Sequence, residues 1–211
     1  MTTLSILEMN MRSRQCRVDS RNAYSMHRRV MSLFPKADSG QARSEFGVLW
    51  RIEPSESPTL LIQSRGQPDF TRLPGEYGRF RSKSIDRHLS SLERGHVVNY
   101  RAVVNPVRSS RAGGQNKQTA IPFCEQAEWW QAREQRIGLT PLDAPVLTGQ
   151  PARNLYRDNG DRARVPIYSI RVDGIAEVVD ADSLREAIEG GVGRAKAWGC
   201  GLLTVARFSA Q

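Results

Sequence analysis

The sequence predicts an α+β chain built from two similar units in tandem, and three observations support this fold class. The chain has 211 residues, of which 39% are apolar and 25% charged, a size that suits one medium or two small globular domains. Short runs alternate apolar and polar residues, as strands do, and longer runs repeat every three or four residues, as helices do. The order of these runs recurs in the second half of the chain.

The first half begins with a strand and a helix. Thr2–Met11 alternates apolar and polar residues, which predicts a strand. A helix is expected over Ser20–Phe34, with Ser20 as its cap and Pro35 as its end. The apolar residues of this helix recur at helical spacing: Ala23, Met26, Val30 and Leu33.

A hairpin and a further strand complete the first unit. Phe46–Glu53 and Thr59–Ser64 predict two strands joined by a tight turn. The polar stretch 66–84, with scattered Gly, Pro and Ser, is interpreted as a connection. Ile85–Leu92 predicts a short helix and His96–Val104 another strand. Strand, helix, two strands, helix and strand in this order are typical of the ferredoxin-like fold.

The same order follows again, and His96–Val107 could equally open the second unit. Helices are expected over Glu125–Arg136 and over Asp182–Glu189, the latter with a Ser183–Glu186 capping box. Strands are expected at Val146–Gly149, Ile167–Val172, Ile175–Val179 and Gly201–Phe208. We therefore predict two tandem ferredoxin-like (RRM-like) domains, residues 1–92 and 93–211. Each is expected to have a four-stranded antiparallel sheet with helices on one face.

The charge of the chain points to a polyanionic partner. Lys and Arg number 31 against 22 Asp and Glu, which gives a net charge of +9 and a pI of about 10.1. Many soluble proteins are mildly basic, but here the excess is clustered, in the first thirty residues and in segments 99–118 and 151–165. Clustered cations are what phosphate binding requires.

Several classes of protein are excluded. Cys16, Cys124 and Cys200 are far apart and form no Cys-x-x-Cys pair, so neither a disulfide framework nor a zinc site is indicated. We expect no metal and no cofactor. No stretch approaches the roughly 18 apolar residues of a membrane span. Because Glu8 and Asn10 interrupt the N-terminus before a signal-peptide core could form, we expect a cytoplasmic protein.

The first candidate site lies on the predicted helix of the first unit. Tyr24 and His27 are three residues apart and therefore project from neighbouring positions. Histidine is suited to proton transfer near neutral pH, and Arg28 and Arg29 could hold a phosphate. The alternative is structural, because His27 also fits the edge of the apolar stripe, and for a single histidine on a helix that interpretation is the more common one.

The second candidate is the glycine-rich segment 190–201, which contains Arg194 and Lys196. Its glycines would let the backbone approach a ligand and offer N–H groups. It lacks the Gly-Lys-Ser/Thr ending of a Walker A loop, and it follows a helix rather than a strand, unlike a dinucleotide-binding loop. It could contact RNA or could be a tight connection between helix and strand.

The third candidate is the segment Arg153–Arg164, where the sequence DNGD at 158–161 predicts a hairpin turn. Arginines on both arms would form a basic finger, although a solvated surface hairpin fits as well. The aromatic pair Trp129–Trp130, on the helix predicted over Glu125–Arg136, is interpreted as part of the core. Neither predicted sheet has the aromatic motif by which ordinary RRM domains bind single strands.

Four parts of the chain, in this order, resemble one family. These segments span nearly the whole chain: NAYSMHR at 22–28, GVLWRIE at 47–53, LIQSR at 61–65 with PDF at 68–70, and GVGRAKAWGCGLL at 191–203. With them the sequence resembles the CRISPR-associated endoribonucleases of the CasE family, which process precursor CRISPR RNA in type I-E systems.

This resemblance implies two ferredoxin-like domains and one metal-independent cut at the base of the CRISPR repeat hairpin. The ribose 2′-hydroxyl would be the nucleophile, and the products would carry a 2′,3′-cyclic phosphate and a 5′-hydroxyl. His27 and Tyr24 occupy the positions of the catalytic pair. The chain would keep the mature RNA and join the type I-E surveillance complex. The residues that we expect to bind RNA are Arg28, Arg108, Lys117, Arg153, Arg157, Arg162, Arg164, Arg194 and Lys196.

Two alternatives stay open from the sequence. The chain could be a catalytically inactive RNA-binding or assembly subunit of a ribonucleoprotein, in which His27 is structural. More distantly, it could be a basic two-domain protein that binds a nucleotide or an acidic protein, although no phosphate-loop fingerprint supports this.

Overall fold

The chain forms two antiparallel sheets in tandem, each covered by helices on one face, which confirms the predicted fold class. The structure is a computed structural model that describes residues 1–36, 42–112, 115–150, 153–155 and 165–208. Residues 111, 112, 115–117, 153–155, 165 and 166 are described by their backbone alone. Among the described helices, none has both the length and the apolar character that crossing a membrane requires.

The sheet of the first unit has the strand order of a ferredoxin-like fold. Its order is β2–β3–β1–β4, and all neighbouring strands are antiparallel. The predicted hairpin is confirmed, since its two strands pair over Leu49↔Gln63 to Glu53↔Thr59. The strands are β1 (Thr2–Met9), β2 (Leu49–Glu53), β3 (Thr59–Arg65) and β4 (Gly78–Ser84).

The helix predicted over Ser20–Phe34 is shorter than expected, and a helix that was not predicted precedes it. The described helices of this unit are α1 (Arg14–Arg21), α2 (Ala23–Met31), α3 (Ala42–Glu45) and α4 (Asp86–Ser90). The chain breaks at Asn22, which is extended, and the Asn22 side chain accepts a hydrogen bond from the Tyr24 N–H at 2.9 Å. Asn22 therefore caps α2. The prediction of Ser20 as the cap was wrong, because Ser20 lies inside α1.

The polar stretch interpreted as a connection contains the fourth strand, so that interpretation was wrong. Strand β4 has the sequence GRFRSKS and pairs with β1, with Phe80 opposite Leu7. It is an edge strand whose side chains are mostly exposed, and Phe80 stacks on Phe70 with ring centroids 4.2 Å apart. Between β3 and β4, where a ferredoxin-like unit has its second helix, the chain forms only a single 3₁₀ turn (Phe70–Arg72).

The sheet of the second unit repeats the same order. Its order is β13–β5–β12–β8, and β9 also pairs with β12, so the described sheet has five strands rather than the predicted four. The two strands predicted on either side of Gly174 are one continuous strand. Gly174 lies over Tyr100, where a Cβ atom would be 2.3 Å from the hydroxyl oxygen. The strands are β5 (Val97–Val104), β8 (Leu139–Pro141), β9 (Val146–Gly149), β12 (Ile170–Val178) and β13 (Leu203–Arg207).

Helices α5 (Gln126–Arg136) and α6 (Ala181–Gly190) cover this sheet. Trp130 is fully buried and Trp129 is 8% exposed, which confirms that the pair belongs to the core. The Asp180 side chain caps α6 by accepting from the N–H groups of Asp182 and Ser183, each at 3.0 Å. The predicted Ser183–Glu186 capping box was therefore wrong, because the helix begins earlier.

Two hairpins project from the second unit. One consists of β6 (Val107–Ala112) and β7 (Gln115–Ala120), and the other of β10 (Arg153–Leu155) and β11 (Val165–Ile167). The strands of the predicted basic hairpin are thus paired, while its turn, residues 156–164, lies outside the described residues. Strand β10 contacts α2 of the first unit.

An ionic contact joins the two units, and it consists of Arg51, Glu53, Arg101 and Asp173. Arg51 is 2% exposed and donates to Glu53 at 2.7 Å and to the carbonyl of Arg101 at 3.1 Å. It also donates to the Leu202 carbonyl at 2.9 Å and to the Thr204 hydroxyl at 2.8 Å. Arg101 in turn bonds to Glu53 and to Asp173. This contact fixes β2 of the first unit against β5 and β13 of the second.

Candidate active site

Helix α2 presents Tyr24 and His27 to the glycine-rich loop. Met26 and Val30, buried at 1% exposure or less, hold its other side in the core of the first unit, while Ala23 packs with Cys200 next to the loop. The His27 ring meets the edge of Trp198 with centroids 5.4 Å apart, and the Tyr24 ring lies 6.2 Å from that of Trp198. We call this arrangement of Tyr24, His27 and Trp198 the α2–loop contact. It brings one residue of the second unit against the two candidate catalytic residues of the first.

The glycines of the loop determine where Trp198 lies. Gly191 has a φ of +74°, and a Cβ atom there would be 2.8 Å from the Leu49 side chain. Gly201 has a φ of +88°, and its carbonyl accepts from the Val192 N–H at 2.8 Å. Side chains are disfavoured at both positions. The loop therefore closes on itself, and the 3₁₀ turn Lys196–Trp198 within it faces α2.

Burial and a neighbouring positive charge favour the neutral form of His27. Burial lowers the pKa of His27 below its usual value, and the positive charge of Arg43 lowers that pKa further. The Nδ1 atom is buried and has no hydrogen-bond partner among the described residues, although the residue as a whole is partly exposed. A neutral imidazole can accept a proton, and the unpartnered nitrogen can bind an incoming donor or acceptor.

A positively charged cavity of about 650 Å³ adjoins Trp198. Lys196 donates to the Gly190 carbonyl at 2.6 Å, and burial followed by the charge of Arg43 lowers the pKa of Lys196. No acidic residue is found among the described residues that line the cavity. The polar and aromatic residues around it are Arg43, Asn105, Gln118, Tyr168, Arg194, Lys196 and Trp198.

Some of the predicted RNA-binding residues lie near this site. Arg28 is exposed on α2, with its guanidinium carbon 5.9 Å from the centroid of the Tyr24 ring. Arg194 is exposed and lines the cavity together with Lys196. Arg108 is exposed at the start of β6 and forms an ion pair with Glu125 at 2.7 Å. The structure brings Arg194 and Lys196 together, while Arg28 lies on the helix and Arg108 on a separate hairpin.

The other predicted RNA-binding residues belong to parts whose side chains are not described. Lys117 is placed on β7 and Arg153 on β10 by their backbones alone. Arg157, Arg162 and Arg164 lie outside the described residues. Because β10 contacts α2, the basic hairpin begins next to the candidate catalytic helix.

Sequence reasoning missed three residues of the site: Arg43, Tyr168 and Trp198. Trp198 could have been noticed, because a large aromatic residue inside a glycine-rich loop needs a surface to pack against. Arg43 gives no such signal. It lies in a four-residue helix, α3, and reaches His27 and Lys196 only through the tertiary fold.

Comparison with known proteins identifies the family of this chain. The sequence model of the CRISPR associated protein family matches residues 3–207. The CRISPR-associated endoribonuclease Cse3 of Thermus thermophilus is 29% identical over 96% of this chain and 99% of its own length. The Cascade subunit CasE of Escherichia coli is 25% identical over 89% and 93%. A structure of T. thermophilus Cse3 with an RNA representing a pre-cleavage complex has a TM-score of 0.78, with 28% identity over 97% of this chain and 98% of that one.

These matches cover both units and the connection between them. The chain therefore belongs to the CRISPR associated protein family. The family resemblance stated from the sequence is confirmed.

Proposed function

We propose that this protein is an endoribonuclease that cuts precursor CRISPR RNA at the base of the repeat hairpin. The observation that supports this best is the α2–loop contact, which holds an imidazole with an unpartnered nitrogen beside a tyrosine. The relatives reported above are named as a CRISPR endoribonuclease and a Cascade subunit. The imidazole is partly exposed and lies against Trp198, which also lines a basic cavity, and this setting supports a role in proton transfer over a purely structural one.

In the proposed reaction the ribose 2′-hydroxyl attacks the adjacent phosphorus. The new bond from the 2′-oxygen to phosphorus forms as the bond from phosphorus to the 5′-oxygen breaks. The 2′-oxygen loses a proton and the leaving 5′-oxygen gains one, which gives a 2′,3′-cyclic phosphate and a 5′-hydroxyl. His27 transfers one of these protons, and Tyr24 orients the phosphate. Side-chain proton transfer and alignment of the attacking oxygen supply the acceleration, so we propose a metal-independent reaction.

The RNA is held by charge around this centre. We propose that Arg28, Arg194 and Lys196 contact phosphates near the cut. The arginines of the basic hairpin bind the stem of the repeat RNA, and Arg108 and Lys117 extend the basic surface. These arginines are Arg153, Arg157, Arg162 and Arg164. Because the major groove of an RNA duplex is deep and narrow, proteins bind its phosphates, 2′-hydroxyls and helix ends. Recognition therefore depends mainly on the shape of the folded repeat.

One of the relatives also indicates partners for this chain. Since one relative is named as a subunit of Cascade, we propose that this chain keeps the mature RNA and joins a type I-E surveillance complex. The precursor RNA that it would process is a cytoplasmic transcript, so we propose a cytoplasmic location.

Incubation of the purified protein with end-labelled repeat RNA in EDTA tests the proposal. We expect one cut at the base of the stem, a cyclic-phosphate end on the upstream product, and no cut when the 2′-hydroxyl at that position is replaced by hydrogen. A matched RNA with a scrambled stem is the control. Binding without cleavage would contradict the proposal and support the alternative, an inactive RNA-binding subunit.

A further inference from the structure

We propose that the cavity beside Trp198 is a nucleotide pocket in which Tyr168 stacks on an unpaired base next to the cut phosphate. This inference rests on the proposed function. It assigns the cavity a ligand, the unpaired nucleotide that flanks the base of the stem, and it makes Tyr168 a positioning residue.

Tyr168 is exposed, although the residues next to it in the chain are buried. It lies in the short link between β11 and β12, where Ile167, Ser169 and Ile170 are all buried at 8% exposure or less. The Tyr168 side chain remains 60% exposed. Within the described part of the chain its ring has no aromatic neighbour and its hydroxyl no hydrogen bond. An exposed aromatic ring between buried neighbours can stack on a base.

The rest of the cavity has the chemistry of a nucleotide site. Asn105 and Gln118 place two side-chain amides on its wall, and an amide offers both a donor and an acceptor to the edge of a base. Arg43, Arg194 and Lys196 supply positive charge for phosphates. A volume of about 650 Å³ lies within the usual range of small-ligand pockets, roughly 300–1,000 Å³.

The cavity adjoins the candidate catalytic residues. Trp198 lines the cavity and also contacts both His27 and Tyr24. Arg43 lines the cavity as well, and its charge acts on His27. Only Trp198 would therefore separate a phosphate beside His27 from the cavity. The nucleotide next to that phosphate is the part of the RNA that can reach the cavity.

Stacking can be measured with 2-aminopurine, whose fluorescence falls when it stacks. The probe replaces the first unpaired base on one or the other side of the cut, in two repeat RNAs with a 2′-deoxy residue at the cut. We expect the unaltered protein to quench one of the two probes severalfold. Tyr168→Phe should keep this quenching and Tyr168→Ala should lose it. The matched control is Phe80→Ala, which removes an exposed aromatic from β4 (54% exposed).

Affinity provides the second readout. Tyr168→Ala should weaken binding of the flanked RNA about tenfold, in the range found when one base–aromatic stack is removed, and should not change binding of a stem without flanking nucleotides. Equal quenching and equal affinity for Tyr168→Ala and the unaltered protein would overturn the inference, and so would an equal loss in Phe80→Ala. Neither readout uses cleavage. If quenching depends on Tyr168 while unmodified RNA is never cut, the pocket stands and the proposed endoribonuclease activity fails.

Discussion

Two of the contacts between the units are of opposite character, the ionic contact and the α2–loop contact. In the ionic contact, Arg51 donates to a carboxylate, two carbonyls and a hydroxyl of the protein itself. In the α2–loop contact, the buried Nδ1 of His27 has no partner among the described residues. Buried polar atoms are normally paired. The first contact is therefore complete without a ligand, whereas the second contains a partly exposed imidazole with one ring nitrogen unpaired among the described residues.

The strongest test of this comparison is His27→Ala. A side chain that transfers a proton contributes about 10²–10⁴-fold to a rate, so we expect single-turnover cleavage to fall by that factor. Affinity for the repeat hairpin should stay within a few fold, because the substitution removes no fixed charge. The control is His96→Ala, which removes a histidine whose Nδ1 accepts a hydrogen bond from the Glu93 N–H at 3.2 Å and whose Nε2 lies 3.7 Å from the Glu93 carboxylate. Normal cleavage by His27→Ala would make the site structural after all.

The ionic contact should respond in stability. Arg51→Met removes one of the two arginine partners of Glu53 and the Arg51 donor of two backbone carbonyls, and removal of one partner from a buried pair costs about 3–5 kcal/mol. We expect the free energy of unfolding, measured with urea, to fall by about 3 kcal/mol. Arg72→Met is the matched control, because it breaks an exposed pair with Asp69 and should lower the free energy of unfolding much less. Equal losses in the two variants would show that Arg51 does not anchor the units.

Substitution of arginines in the basic hairpin tests whether these charges bind RNA, unlike the charges of the ionic contact, which pair within the protein. The double variant Arg162→Ala/Arg164→Ala should flatten the plot of log affinity against log salt by about one to two units. Arg79→Ala/Arg81→Ala is the control, since both residues are exposed on the edge strand β4. If only the β4 variant changed the slope, the RNA would lie on the opposite edge of the first unit.

The smallest expected effect concerns pH. Because burial and the charge of Arg43 lower the pKa of His27, NMR titration of the ring should give a midpoint below the usual value of about 6.5, and Arg43→Gln should move it upward. The unfolded chain takes up this proton first as the pH falls. The free energy of unfolding should therefore decrease below about pH 6.5 and level off under the folded pKa. His27→Gln should lack this decrease, and a midpoint above the usual value would contradict the account.

Much of the fold follows from the sequence, and the exceptions have physical reasons. Alternation identified β1, and runs of large apolar residues identified the hairpin β2–β3, whose strands are mostly buried. Strand β4 was missed because it is a mostly exposed edge strand in which Phe80 is the only large apolar residue. The break at Asn22 was missed because the apolar stripe continues through α2, while the cap depends on one local hydrogen bond.

The site was predictable only in part. Tyr24 and His27 could be proposed because they share one helix and one side of it, and local spacing is visible in a sequence. Their surroundings come from distant segments: Arg43 from α3, Tyr168 from the link after β11, and Trp198 from the loop before β13. Contacts of this kind depend on how the two units pack, which no local pattern specifies.

A structure of this chain with its own repeat RNA, carrying a 2′-deoxy residue at the cut, tests the central claim most directly. We expect a ring nitrogen of His27 within about 2.6–3.2 Å of the 2′ position or of the 5′-oxygen, or one water away, with Trp198 still against the ring. A scissile phosphate bound elsewhere, with the imidazole covered by protein alone, would contradict the claim that His27 carries the chemistry.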